Sequence, residues 1–258
     1  MVKPDQKIRI LLVLPNGRIH KLKFGSWQIS FREAPLTATT LAALIPPEID
    51  ANVTIIDESI EPLHFQHRYD LVGISCITGA STRAYQIADR FRAQGTTVVL
   101  GGVHVTLRPE EAAHHADAIV VGPAEDTWGK LLGDFLENRL QPVYRSEIVH
   151  LDHLPHPRRD LQRRFGYMAP NTIFATRGCK GTCDFCTIPA LKVGWHKRPT
   201  IREPSYFIGY KQKAGCYTLN GNITIRNMLC FCRRRCRHRN LIMGLSGRIS
   251  KRLRSAQS

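Results

Sequence analysis

Cys179, Cys183 and Cys186 lie on one short stretch, TRGCKGTCDFC (176–186), in a C-x3-C-x2-C pattern. Thiolates are soft donors suited to iron–sulfur clusters or zinc, and such sites normally close a shell of four ligands. A shell one donor short is either completed from elsewhere in the chain or kept open for chemistry. Zinc completed by His196 or Cys216 is one candidate. Zinc sites typically use paired knuckles, however, and no second knuckle follows at matching spacing.

The rest of the chain has to position that loop. At 258 residues, with 43% apolar and 22% charged residues, it is long enough for one large domain or two modest ones, which excludes disorder throughout. No run of 18 apolar residues occurs, and the first apolar stretch ends at Pro15 and Asn16. It reads as a buried strand, not as a signal peptide or membrane anchor. Eight cysteines without a secretion signal suggest a reducing compartment, so the expected location is the cytoplasm.

The formal net charge of +16 is unevenly spread. Residues 201–258 hold 13 Lys and Arg and one acid, Glu203, leaving 24 basic and 20 acidic residues in the first 200. Any attraction to a polyanion therefore belongs to the tail.

Apolar β-branched runs alternate with helical patterns over the first 140 residues, as in a parallel α/β sheet. The expected strands are 8–14, 53–57, 71–77, 97–100 and 118–121, and the expected helices 37–45, 81–94, 109–115 and 124–139. This gives a Rossmann-like (flavodoxin-like) doubly wound parallel sheet over 1–139, with its ligand at the carboxyl ends of the strands. A proline-containing stretch, 140–170, reads as an extended linker. Beyond it, 172–176 reads as one strand running into the cysteine loop.

TRGCKGTCDFC, with an aromatic residue before its third cysteine and a strand before the loop, resembles the signature of the radical S-adenosylmethionine enzymes. That resemblance implies that Cys179, Cys183 and Cys186 bind three irons of a [4Fe-4S] cluster. The fourth iron would take S-adenosyl-L-methionine, whose reductive cleavage gives a 5′-deoxyadenosyl radical. Phe185 would shield the cluster, and Arg177 and Gly178 would shape the turn.

The N-terminal region resembles the cobalamin-binding domain, in the order found in cobalamin-dependent radical enzymes. The matching stretches are DLVGISCITGASTRAYQIADRF (70–91), VVLGGVHVTLRPEEA (98–112) and ADAIVVGPAEDTW (116–128). Ser75, Ile77 and Thr78 resemble that family's serine-containing turn beside the nucleotide tail. Gly101 and Gly102 resemble its paired glycines. The loop PNGRIHKLKFG (15–25) lacks the Asp-x-His-x-x-Gly pattern that supplies a lower ligand to cobalt, so His20 is expected on the surface. Cys76 is expected in the core, His104 either facing the ligand or packed, and His114 and His115 in solvent.

The two resemblances together imply a cobalamin-dependent radical enzyme, with methyl transfer as one outcome. Its substrate would be a small molecule or lipid, and its electron donor a flavodoxin or ferredoxin. A radical S-adenosylmethionine domain resembles a partial (β/α) barrel, which needs far more chain than follows residue 171. The expectation is the start of such a barrel over 171–200 and an irregular basic tail over 201–258, the product of a reading-frame shift, with little or no turnover. The alternative is a non-catalytic cobalamin- or nucleotide-binding module. Five arginines in FCRRRCRHRN (231–240) would then contact nucleic acid, and Cys230, Cys232, Cys236 and His238 offer a third reading as a metal knuckle.

Overall fold

The computed structural model describes residues 7–17, 21–24, 27–146, 151, 154–174, 176–181, 183–197 and 218–220. The expectations for His20, Cys216 and the tail's arginine- and cysteine-rich segment fall outside the described residues. Along the chain come β1 (Ile8–Leu14), β2 (Lys21–Phe24), β3 (Trp27–Glu33), α1 (Thr37–Ala43), β4 (Ala51–Asp57), β5 (Leu71–Ser75), α2 (Ser81–Ala93) and β6 (Thr97–Gly101). They are followed by α3 (Val103–Leu107), α4 (Pro109–Ala113), β7 (Ala118–Val121), α5 (Trp128–Leu136), β8 (Val143–Arg145) and β9 (Tyr167–Ala169). The last described elements are β10 (Thr172–Phe174), β11 (Thr176–Gly178), α6 (Thr187–Ala190), β12 (Trp195–Lys197) and β13 (Thr218–Asn220).

Six strands form one parallel sheet in the order β4-β1-β5-β6-β7-β8. The order reverses beside β1, placing a topological switch point between β1 and β5, where sheets of this kind bind ligands. Both faces are covered, so alternate residues of one strand enter different cores. Leu11 and Val13 of β1 pack with Ile87, Ala88 and Phe91 of α2. Ile10, Leu12 and Leu14 pack on the other face with Ala38 and Ala42 of α1 and Trp128, Leu131 and Leu132 of α5. Helix α2 buries Ala84, Ile87, Ala88 and Phe91, the three- and four-residue spacing of one helical face.

Several expectations need correction. Residues 143–145, read as linker, are the sixth strand of the sheet. Tyr144 is buried there, and its hydroxyl donates to Asp134 of α5 at 2.9 Å and accepts from the Gln141 amide. The end of the same stretch is β9, which pairs with β3 in a three-stranded sheet with β2. Its Tyr167 is buried because the hydroxyl reaches Asp57 Oδ2 at 2.8 Å. Helix α5 starts at Trp128 rather than at residue 124, because a turn through Glu125 and Asp126 precedes it. The single strand expected over 172–176 is divided into β10, paired with β13, and β11, paired with β12. No helix among the described residues is long and apolar enough to cross a membrane.

Candidate functional site

A cavity of about 350 Å³ opens at the carboxyl edge of the large sheet. Its floor includes Leu12, Gly73, Val99 and Val120, with Trp128 and α1 at the side. Ser75, Gly101, Gly102 and Gly122 form part of the rim. The opposite wall comes from the far side of the linker: Phe174, Arg177, Gly178, Ile188, Leu191 and Val193. Residues on both sides of the cysteine loop therefore close a space whose base is the sheet.

The glycine pair has a distinct division of labour. Gly102 sits at φ +99°, and a Cβ there would lie 2.7 Å from Cys76 O and 2.8 Å from Cys76 N. The β6 turn is thus pressed against the end of β5, an approach only glycine permits. Hydrogen bonds from Cys76 N to Gly101 O (2.8 Å) and from His104 N to Cys76 O (3.1 Å) hold the two strand ends together. At Gly101 a Cβ would meet only ordinary contact, 3.6 Å from Val120 Cβ. The Thr106 hydroxyl joins the next turn, donating to Gly102 O at 2.9 Å and accepting from Gly122 N at 3.0 Å.

Of the residues expected at the tail-binding turn, Ser75 lines the cavity with Gly101 and Gly102. Ile77 (42% exposed) and Thr78 do not, and sit on the outer turn before α2. His104 packs. It is 5% exposed, with Nε2 3.0 Å from the Tyr85 hydroxyl and Nδ1 3.3 Å from Thr78 Oγ1. His114 is exposed as expected, whereas His115 is half-buried. Its ring stacks on Tyr85 at 4.2 Å and its Nδ1 meets Asp89 at 2.9 Å, because Tyr85 gives it an aromatic surface to cover.

Cys76 is a core thiol. Burial, with a smaller contribution from the Glu111 carboxylate, pushes it up to about 12. The neutral thiol is the form the fold favours, so this group supports stability below its ordinary value of 9.0 and that support is lost as pH rises towards 12. Urea midpoints measured between those values are expected to fall with pH, and less steeply in Cys76→Ala. An equal slope in the variant would show that Cys76 has no part in the effect.

The cysteine loop is closed at its neck by β11 and β12, where Gly178 faces Trp195. A Cβ on Gly178, at φ +76°, would strike Gly194 O. Within the loop the Gly181 amide donates to Cys179 Sγ at 3.3 Å, and Cys186 N to Cys183 O at 3.1 Å. A Cβ on Gly181 would make only ordinary contact with the two sulfurs beside it, 3.5 Å from Cys179 Sγ and 3.7 Å from Cys183 Sγ. Cys183 is exposed and the other two thiols are half-buried. Among the described residues no three His, Cys, Asp or Glu side chains converge as a metal site. The donor set still suits an iron–sulfur cluster in kind: three thiols on one closed loop. His196 Nε2 lies 2.7 Å from Val193 O. Phe185, expected to shield the cluster, is 92% exposed.

Arg177 ties this loop to the sheet. Its guanidinium donates to Glu125, in the turn before α5, and lies 5.4 Å from the centre of the Phe174 ring. Glu125 and Trp128 lie in the stretch 116–128 that resembles the cobalamin-binding domain, but neither is singled out there as a site residue.

The model of the B12 binding domain matches residues 33–132. This stretch has a B12-binding fold. It contains Ser75, Gly101, Gly102 and Trp128 and stops short of the cysteine loop. The chain is also 40% identical over 190 residues to bacteriochlorophyllide d C-8(2)-methyltransferase of Chlorobaculum tepidum, a match covering 70% of this chain and 41% of that protein. It is 32% identical over 167 residues to bacteriochlorophyllide d C-12(1)-methyltransferase of the same organism, covering 61% of this chain and 36% of that protein. The matches thus span less than half the length of either relative.

Proposed function

We propose that this chain serves a cobalamin-dependent methyl transfer to a chlorophyllide-type tetrapyrrole, with the B12-binding sheet holding cobalamin and Cys179, Cys183 and Cys186 holding a [4Fe-4S] cluster. The observation that supports it most directly is the shared cavity: its base is the glycine-lined edge of a B12-binding fold, and its far wall flanks the three cysteines. The substrate class follows the names of the two relatives. When bound, the cluster with S-adenosylmethionine supplies one-electron cleavage of a carbon–sulfur bond, and cobalamin supplies a methyl carrier.

The chain's own residues have simpler tasks. The backbone at Gly101 and Gly102 lets a large ligand approach the strand ends, and Ser75 offers a hydroxyl at the rim. Leu12, Val99 and Val120 keep the floor free of water-binding groups. Arg177 and Glu125 hold the cysteine-loop neck against the sheet. Three thiols in this arrangement suit the reducing cytoplasm, with a flavodoxin or ferredoxin as electron donor.

The test uses the full chain under anaerobic conditions. Equilibrium dialysis is expected to show stoichiometric cyanocobalamin, and reconstitution with iron and sulfide a brown protein. Failure to retain cyanocobalamin, or a colourless protein with stoichiometric zinc, would reject the reading.

A further inference from the structure

Arg177 and Glu125 form an ion pair in the wall of the cavity. Their side chains are only 23% and 12% exposed, so salt screens the pair little. Each partner stands next to a different part of the candidate site. Arg177 comes two residues before Cys179, and Glu125 three residues after Gly122 of the rim. Both are mounted on fixed backbone. Arg177 sits in the β11–β12 ladder opposite His196, with its guanidinium 5.4 Å from the Phe174 ring. Glu125 sits in a turn closed by Thr127 N and Trp128 N, which donate to Ala124 O at 3.1 and 2.8 Å. Elsewhere the two walls face the cavity with apolar side chains, Leu12 and Val120 at the base and Ile188 and Leu191 opposite. Apolar contact has no direction, whereas an Arg–carboxylate pair fixes both distance and orientation.

We infer that the Arg177–Glu125 pair sets the separation and orientation of the two cofactor sites, so that cobalamin on the sheet and the cluster on the cysteine loop face each other in one arrangement. The inference rests on both groups being held as proposed above. Arg177 and Glu125 are positioning residues and touch no reacting atom. Removing one partner leaves the other charge half-buried and unpaired. The loop is then expected to turn from the sheet, with its three thiols and the glycine rim intact.

The test loads the full chain anaerobically with iron, sulfide and cob(II)alamin. Pulsed electron paramagnetic resonance reads the relaxation of the cob(II)alamin spin before and after the cluster is reduced, at a potential that keeps the cob(II)alamin signal. A reduced cluster is paramagnetic and speeds the relaxation of a neighbouring spin, an effect that falls steeply with separation. Wild type is expected to show this enhancement. Glu125→Gln and Arg177→Gln are expected to lose most of it while holding as much iron and cobalamin as wild type. The double variant should match the single ones, because either change breaks the same pair. Glu125→Asp keeps the charge with a shorter reach and should restore part of the enhancement.

Wild-type enhancement in both Gln variants would overturn the inference, even if they melt earlier, because the pair would then be a stabilising contact only. So would a wild type that holds both groups without enhancement. Loss of either cofactor from both Gln variants would also overturn it, since the pair would then serve binding and not placement. A wild type that retains no cob(II)alamin or no iron would overturn the proposed function and this inference with it.

Discussion

Replacing Gly102 by alanine is expected to lower the stability of the sheet domain by about 2–4 kcal/mol and to abolish retention of cyanocobalamin. Two effects combine. At φ +99° an L side chain is strained, at a cost of about 1–3 kcal/mol. The added Cβ would also lie 2.7 and 2.8 Å from backbone atoms of Cys76, which cannot swing aside as the end of a side chain can. The turn after β6 must move, and with it Ser75, Thr106 and the rim they shape. Gly101→Ala is the informative control. Its Cβ would stand 3.6 Å from Val120, so the fold should remain within about 1 kcal/mol of wild type. Urea unfolding followed by circular dichroism, with equilibrium dialysis on the same samples, separates the two variants. A Gly102→Ala protein as stable as Gly101→Ala would show that the tight approach of β6 to β5 is wrong.

Any one of Cys179→Ala, Cys183→Ala and Cys186→Ala is expected to reduce iron after anaerobic reconstitution from about four per chain to near zero. The three thiols share one loop with no fourth protein donor assigned, so losing one leaves two ligands, too few to retain a cluster. Cys76→Ala should keep its iron, because that thiol is fully buried in the sheet core. The fold should survive the loop substitutions, since Cys183 is exposed and the other two sulfurs lie outside both main cores. Iron and sulfide analysis gives the primary result. Electron paramagnetic resonance of the reduced cluster with and without S-adenosylmethionine adds a second, because binding at an open iron changes the signal. Full iron content in all three variants would remove these cysteines from the assignment.

The two experiments address different halves of the proposal. Gly102 concerns the B12-binding sheet, and the cysteines concern a loop beyond the matched domain. A protein that binds cyanocobalamin but no iron would be a cobalamin-binding module, and the methyl-transfer reading would fall.

How far the sequence reached depended on whether the deciding contacts were local. Five of the six strands of the large sheet, β1, β4, β5, β6 and β7, and α2 were legible because a parallel sheet covered on both faces needs near-continuous apolar runs, such as IRILLVL in β1, and helices show their buried stripe at three- and four-residue spacing. The B12-binding stretch was legible from Ser75 and the Gly101–Gly102 pair, since a strand ending in glycines is a local pattern. Strand β8 and the β2–β3 hairpin were missed. Val143–Arg145 is only three residues long and is a strand because β7 offers it an edge, with Tyr144 anchored to Asp134. Lys21–Phe24 and Trp27–Glu33 form a ladder through pairing, with little periodicity to announce it.

By itself, the sequence determined the sheet, the glycines at its edge and the presence of three thiols on one loop, because each is a property of neighbouring residues. Only the tertiary structure decided that Arg177 meets Glu125, that residues flanking the loop wall a cavity floored by Leu12 and Gly73, and that Trp128 and Thr40 stand beside it. Those relations join residues far apart in the chain, through side chains whose types are ordinary and whose meaning comes from what folding places beside them.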